Sequence, residues 1–246
     1  MGSVRDLAVV LRRLDYSETS QVLAAFGRAT GLQRLIAKGA KRGTKKRFAT
    51  GIDLLELGDV IYLSRAGEAG LGTLTEWTQR DSFPAIRASL EAWYAAQYAA
   101  DRTAQALEES DPHPGLFDAL VELLSTLDAN APLAPLTAYA WTLLREIGLQ
   151  PALDRCVGCG AAAEPGAAYF SARQGGLLCR DCEPAHIEKR RVSRAALDLL
   201  RRAAAAPDPA ALDEAWQLLD YALTETLGRP SRVTIATPRR PTPPRK

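Results

Sequence analysis

The sequence predicts an α+β, multidomain chain: a small β-barrel or sandwich, then a mainly helical region with a metal ribbon set into it. Three observations predict this. Five short segments in the first 82 residues carry the apolar alternation and β-branched content of strands. From Phe83-Pro84 onward, Ala and Leu recur at helical spacing. Between the third and fourth helical stretches stand four cysteines in the order C-x2-C-x19-C-x2-C.

The elements follow in order. "LAVVLRRLDY" reads as an apolar strand, and "SQVLAAFGRATGLQRLIAKG" as two strands around the turn signal Thr30-Gly31. "DLLELGDVIYLSR" alternates after Leu55, and "GLGTLTEWTQRDSF" supplies a fifth strand. In "PAIRASLEAWYAAQYAADRTAQALEES" the residues Ile86, Leu90, Trp93, Tyr94, Gln97 and Tyr98 share a helical stripe, which ends by Asp111-Pro112. Two more amphipathic helices follow, punctuated by Pro132, Pro135, Gly148 and Pro151. Beyond the cysteines come two further helices, with Ser193 and Asp208 as N-caps and Gly228 as a C-cap. The predicted domains are therefore 1–82, 83–151 joined with 191–230, an insertion at 152–190, and a basic, Pro-rich tail at 231–246.

The composition is that of a water-exposed globular protein: 47% hydrophobic and 24% charged residues in a chain of 246. No apolar run approaches the roughly 20 residues of a membrane helix. The opening "MGSVRDLAVVLRRLDYSE" is too charged for a secretory signal, so a cytoplasmic protein is expected. Formal net charge is only +2, but it is divided unevenly. Residues 1–51 carry 11 Lys/Arg and 3 Asp/Glu, while the other 195 carry 20 and 26. Such asymmetry points to a polyanionic partner for the first part.

The excess concentrates in "LIAKGAKRGTKKRFATG", which holds Lys38, Lys41, Arg42, Lys45, Lys46 and Arg47 and no acid. A basic loop between strands of a small β domain suits a nucleic-acid backbone. Phe26, Phe48 and Tyr62 lie close by in sequence, and unpaired bases stack on such rings. Core packing is the competing reading for Phe26, and a solvated loop for the charge run. Arg12, Arg13 and Arg34 are candidates for a second basic surface.

Cys156, Cys159, Cys179 and Cys182 have the spacing of a four-thiolate Zn²⁺ site. Four thiolates close the coordination shell, so the metal is expected to be structural. Two disulfides, or a site that no longer holds metal, are the alternatives. His186-Ile187-Glu188 matches half of a zinc deaminase signature, but it follows both cysteine pairs instead of preceding the second. His113 is the one other histidine. No nucleophile and base stand in a catalytic pattern, so no enzyme is expected.

These features together resemble the bacterial recombination mediator family RecO. The segment "LRRLDYSETSQVLAAFGRATGLQRLIAKGAKRGTKKRF" is similar to the family's opening strands, including the basic segment Lys38–Arg42 and the pair Arg47-Phe48. The order of barrel, helices and inserted cysteine ribbon also agrees. The resemblance implies an N-terminal OB-fold β-barrel and a helical C-terminal domain. It implies binding of single- and double-stranded DNA without sequence preference, and annealing of complementary strands coated with single-strand-binding protein, SSB. Further implied partners are RecR, the SSB C-terminal tail and, indirectly, RecA, with a nucleoid-associated location. On this reading DNA contacts fall to Arg34, Lys38, Lys41, Arg42, Lys45, Lys46, Arg47 and Phe48, and Zn²⁺ to the four cysteines. Arg102 and Arg145 are cations on apolar helices that could serve the SSB tail, with a solvated face as the alternative. A zinc-ribbon protein that binds RNA, for example on ribosomes, is the competing function.

Overall fold

The computed structural model describes residues 2–39, 52–64, 70–128, 131–162, 168–202 and 208–235. Five strands come first: β1 (Gly2–Asp15), β2 (Gln21–Gly27), β3 (Gly31–Ala37), β4 (Leu57–Ser64) and β5 (Gly72–Asp81). They close into a barrel in the order β1-β2-β3-β5-β4, with β4 returning to β1. Every pairing is antiparallel except β3 with β5. A closed five-stranded barrel is the OB-fold that the resemblance implies. Alternate residues point inward, as the two-residue period requires. Ala8, Val10, Leu23, Ala25, Leu35, Ala37, Val60, Tyr62 and Leu74 fill the barrel together with Ile52 and Trp77.

The opposite face of the same strands is also buried. Val9, Leu11, Phe26 and Leu32 point out of the barrel into a second core, which the helices complete. Those helices are α1 (Pro84–Arg87), α2 (Leu90–Ala106), α3 (Pro114–Thr126), α4 (Leu133–Glu146), α5 (Arg194–Arg202) and α6 (Pro209–Leu227). Phe26 meets Phe117 of α3 edge-on, with ring centroids 5.6 Å apart. The three predicted caps form: Ser193 Oγ accepts from Ala196 N, Asp208 Oδ2 accepts from Ala211 N, and Gly228 sits at φ +66°.

Two expectations about the first helix change. The stripe from Ile86 to Tyr98 is split, because the helix restarts at Ser89, whose Oγ accepts from Ala92 N at 3.2 Å. The buried face of α2 is made mostly of small residues: Ala92, Ala95, Ala96, Ala99 and Ala100. Leu90 and Tyr94 are left 61% and 46% exposed. Nor is Arg102 on a solvated face: it is fully buried. Its guanidinium donates to Tyr98 Oη, Gln105 Oε1, the Arg229 carbonyl, Asp220 Oδ1 and Thr224 Oγ1, tying α2 to α6 and the C-terminal segment. Arg145 is exposed beside Glu146, as a solvated-face residue would be.

The insertion forms a four-stranded sheet in the order β6-β8-β7-β9, from β6 (Ala152–Cys156), β7 (Ala168–Ser171), β8 (Gly176–Leu178) and β9 (Arg190–Val192). Its inner residues Leu153, Ala168, Phe170, Leu177 and Val192 belong to the helical core. The ribbon therefore shares a core and has none of its own among the described residues. No helix among the described residues is long and apolar enough to cross a membrane.

Candidate metal centre and nucleic-acid interface

The ribbon turns bring Cys156, Cys159, Cys179 and Cys182 to one point, with all four Sγ atoms within 4.8 Å of one another. Cys159 and Cys179 Sγ are 3.8 Å apart. Zn–S bonds of about 2.3 Å in a tetrahedron place sulfurs about 3.8 Å apart, so this spacing fits the ion. The backbone makes room for the cluster. A Cβ on Gly158 would come within 3.1 Å of Cys182 Sγ. Gly160 at φ +75° closes the first knuckle, donating to the Cys156 carbonyl at 2.9 Å.

The donor chemistry agrees. Burial opposes ionisation of Cys156, but N–H groups of Cys179, Cys159 and Gly158 outweigh it and lower this thiol to about 6. Hydrogen bonding with the sulfurs of Cys179, Cys159 and Cys156 pushes Cys182 up to about 12. Four thiolates so close repel one another, and a divalent cation removes that conflict. The site matches a metal held by protein alone, without an open position for water. Neighbouring His186 is half-buried and outside the cluster. Glu188 is occupied elsewhere: it accepts from Ser171 Oγ and from the N–H groups of Ala172 and Arg173, fixing the β7–β8 turn.

The predicted DNA-contact residues divide in two. Lys41, Arg42, Lys45, Lys46, Arg47 and Phe48 lie outside the described residues. The chain leaves the described barrel just after exposed Lys38 and rejoins it at buried Ile52. On the rejoining side, Leu55 holds φ +61° with its side chain in the core. Arg13 donates to the Ile52 carbonyl and to Asp53, and Arg87 of α1 donates to the Leu54 carbonyl and to Asp53.

The second set, Arg12, Arg13 and Arg34, is gathered by the fold into one groove of about 620 Å³ between the barrel and α2. Arg232 from the C-terminal segment joins them. The floor is aliphatic, with Leu11, Leu23, Leu32, Leu54 and Leu107 among its residues. Each of the three arginines holds a carboxylate: Arg12 with Asp101 at 2.9 Å, Arg13 with Asp53 at 2.7 Å, Arg34 with Glu109 at 3.5 Å. Phe26 and Tyr62 are not stacking platforms, because they are 0% and 3% exposed and belong to the two cores. Arg232 belongs to the predicted basic tail, whose place beside the groove the sequence does not give, and the exposed end of α2 is likewise not given by the sequence. In the sequence, Leu90 and Tyr94 stand only as members of a helical stripe.

Comparisons with known proteins agree with this architecture. The family described as recombination protein O, N terminal, matches residues 1–83, and recombination protein O, C terminal, matches residues 87–234. A DNA repair protein RecO from Anaeromyxobacter dehalogenans is 34% identical over 239 residues, 93% of each chain. One from Rhodopirellula baltica is 34% identical over 212 residues, covering 84% of this chain and 78% of that one. One from Listeria welshimeri is 30% identical over 175 residues, covering 71% and 66%. With both halves matched by the family and relatives 34% identical over 84% and 93% of the chain, the chain belongs to the recombination protein O family.

Proposed function

We propose that this DNA repair protein binds single- and double-stranded DNA through backbone phosphates and accelerates the pairing of complementary strands, including strands coated with SSB. It acts without covalent chemistry. In company with RecR it makes coated strands accessible to RecA, and it meets SSB through that protein's acidic tail. Membership of the recombination protein O family supports the DNA repair role. Charge allocation is the observation that carries the rest. Arg12, Arg13, Arg28 and Arg34 are each paired with a carboxylate from residue 53 or later. The run Lys38–Arg47 holds six cations and no acid. Six of the eleven Lys/Arg in residues 1–51 thus stand in one run of sequence without an acid.

Neutralising phosphates on both strands lowers the repulsion that slows pairing. The four cysteines would hold Zn²⁺ as a structural ion, fixing the ribbon against the helices. The test is annealing of complementary oligonucleotides coated with SSB. The native protein is compared with a variant in which Lys41, Arg42, Lys45, Lys46 and Arg47 are changed to Ala. Acceleration by the native protein and its loss in the variant are expected. The log–log salt slope for single strands should fall by about 3.5, at roughly 0.7 per phosphate contact. A native protein that does not accelerate annealing would overturn the reading, and tighter binding to structured RNA would replace it.

A further inference from the structure

The helical domain supplies a part of the molecule's surface that the functional reading does not use. On α2, Leu90, Trp93, Tyr94, Gln97 and Asp101 fall on one stripe, since positions three and four apart in a helix are neighbours. Gln97 and Asp101 line the arginine groove. Towards the helix N-terminus the stripe emerges as exposed Leu90 and Tyr94. The Arg87 guanidinium lies 5.5 Å from the ring centre of Trp93, and the same side chain donates to the carbonyl of Leu54, a groove residue. Across the groove, Leu14 of β1 is 66% exposed. A continuous strip thus runs from the segment that rejoins the barrel at Ile52, past an aromatic ledge, and into an arginine-lined channel.

Two properties decide what such a strip takes. The first is charge: the groove lining holds Arg12, Arg13, Arg34 and Arg232 against Asp101 and Glu109. The ion pairs do not exhaust these cations. Arg12 meets Asp101 through Nη2, Arg13 meets Asp53 through Nη1, and Arg34 meets Glu109 through Nη1. A guanidinium carries five N–H donors, so each can engage a phosphate oxygen while its carboxylate holds it in place. The second is an exposed ring, Tyr94, which lies three residues, about one helical turn, from Gln97 of the groove lining. Exposed rings alternating with backbone-binding cations are how proteins hold unpaired strands without reading sequence.

Resting on the DNA-binding reading above, we propose that the groove between the barrel and α2 seats an unpaired nucleic-acid strand, with Tyr94 as a base-stacking platform and Arg12, Arg13 and Arg34 on its phosphates. One strand then follows the barrel and crosses onto the helical domain, where a base stacks on Tyr94. A duplex gains nothing from the ledge, because its bases are already stacked inside.

The test measures fluorescence anisotropy of labelled (dT)20 and of a labelled 20-base-pair duplex with the native protein, Tyr94→Ala, Tyr94→Phe and the five-alanine loop variant. Tyr94→Ala is expected to weaken (dT)20 binding about 5- to 150-fold, the range for loss of one stacked base, and to change duplex binding less than about twofold. Tyr94→Phe keeps the ring and should bind (dT)20 like the native protein. Tyr94 is exposed, so its variants should melt where the native protein does. Unchanged (dT)20 binding by Tyr94→Ala would overturn the proposal. Equal losses in the Ala and Phe variants would overturn it too. If a labelled peptide of alternating Asp and Leu binds the native protein and is lost in Tyr94→Ala, while (dT)20 is unaffected, the groove is a peptide site instead. If only the loop variant loses (dT)20, this inference fails and the functional reading stands. If the native protein does not bind (dT)20, both fail.

Discussion

The four-cysteine centre and the arginine groove are both assembled from distant parts of the chain, but one is closed and the other open. Four sulfurs converge within 4.8 Å and use up the coordination a zinc ion offers. In the groove, Arg12, Arg13 and Arg34 are fixed by one carboxylate each and keep donors to spare. Arg102, one residue along α2 from Asp101, behaves like the cysteines: it is buried and meets five acceptors within the chain. The difference teaches that a saturated polar cluster holds the fold, whereas an arginine pinned but unsaturated is poised for an outside anion.

Metal removal should break the comparison most visibly. The ribbon's inner residues are shared with the helical core, so loosening the ribbon exposes that core as well. Treatment with a chelator that removes a thiolate-bound metal, or the change Cys156→Ser, is expected to cost several kcal/mol. That corresponds to a fall in Tm of about 10 °C or more for a chain of this size. Below the new transition, (dT)20 binding should stay within about threefold, because the barrel keeps a core of its own. Loss of DNA binding at unchanged Tm would instead make the metal centre part of the interface.

Arg102→Met comes next. It strips acceptors from Tyr98, Asp220, Thr224 and the Arg229 carbonyl of their donor. Removing one partner of a buried pair costs about 3–5 kcal/mol. The lower end is expected here, because Asp220 is 44% exposed and water can replace the guanidinium on that side. A melting curve that does not move would show that the cluster is not what joins α2 to α6. Arg12→Ala is the matching control: Arg12 is 35% exposed, and buried Asp101 keeps Gln105 Nε2, Ser231 Oγ and the Arg232 N–H as donors, so stability should change by no more than about 1.5 kcal/mol while (dT)20 binding weakens.

The sequence makes the closed features easier to see than the open one. The strands were legible because a barrel with one face inward imposes a period of two. The turn at Thr30-Gly31 was legible because few residues but glycine adopt φ +70°, and a Cβ there would strike the Asp111 carbonyl at 2.2 Å. Each CxxC pair announces a two-thiolate turn within four residues. The groove gives no such local signal. Its walls come from residues 11–14, 34, 97–107 and 232, and only the folded chain unites them. Arg12, Arg13 and Arg34 could be singled out as cations, but not their carboxylates. The face of α2 was misread because alanine carries little weight in an apolar pattern, so larger Leu90 and Tyr94 dominated it. Arg102 on an apolar helix looks the same whether it faces water or five acceptors.

Glu56 offers the smallest and most specific change. It is 7% exposed, beside the point where the basic segment rejoins the barrel. Burial raises its pKa, the neighbouring Asp53 charge adds to this, and the backbone N–H of Asp53 and the charge of Arg87 work against it. A carboxyl with a raised folded value favours the protonated form. Its stabilising contribution is fully present below the unfolded carboxylate value of about 4.3 and is lost as pH rises through the folded value. At neutral pH the ionised group is therefore a burden on the fold. Glu56→Gln keeps an acceptor for the Asp53 N–H, now 3.1 Å from Oε2, and removes the charge. It should raise stability at pH 7 by no more than about 1 kcal/mol, or about 2–4 °C in Tm, with the gain shrinking to nothing near pH 4. Melting both proteins from pH 4 to 8 gives the answer. A gain that is constant with pH would assign the effect to packing, and a loss at pH 7 would mean that the ionised carboxylate is what holds Asp53, and with it Arg13 and Arg87, in place.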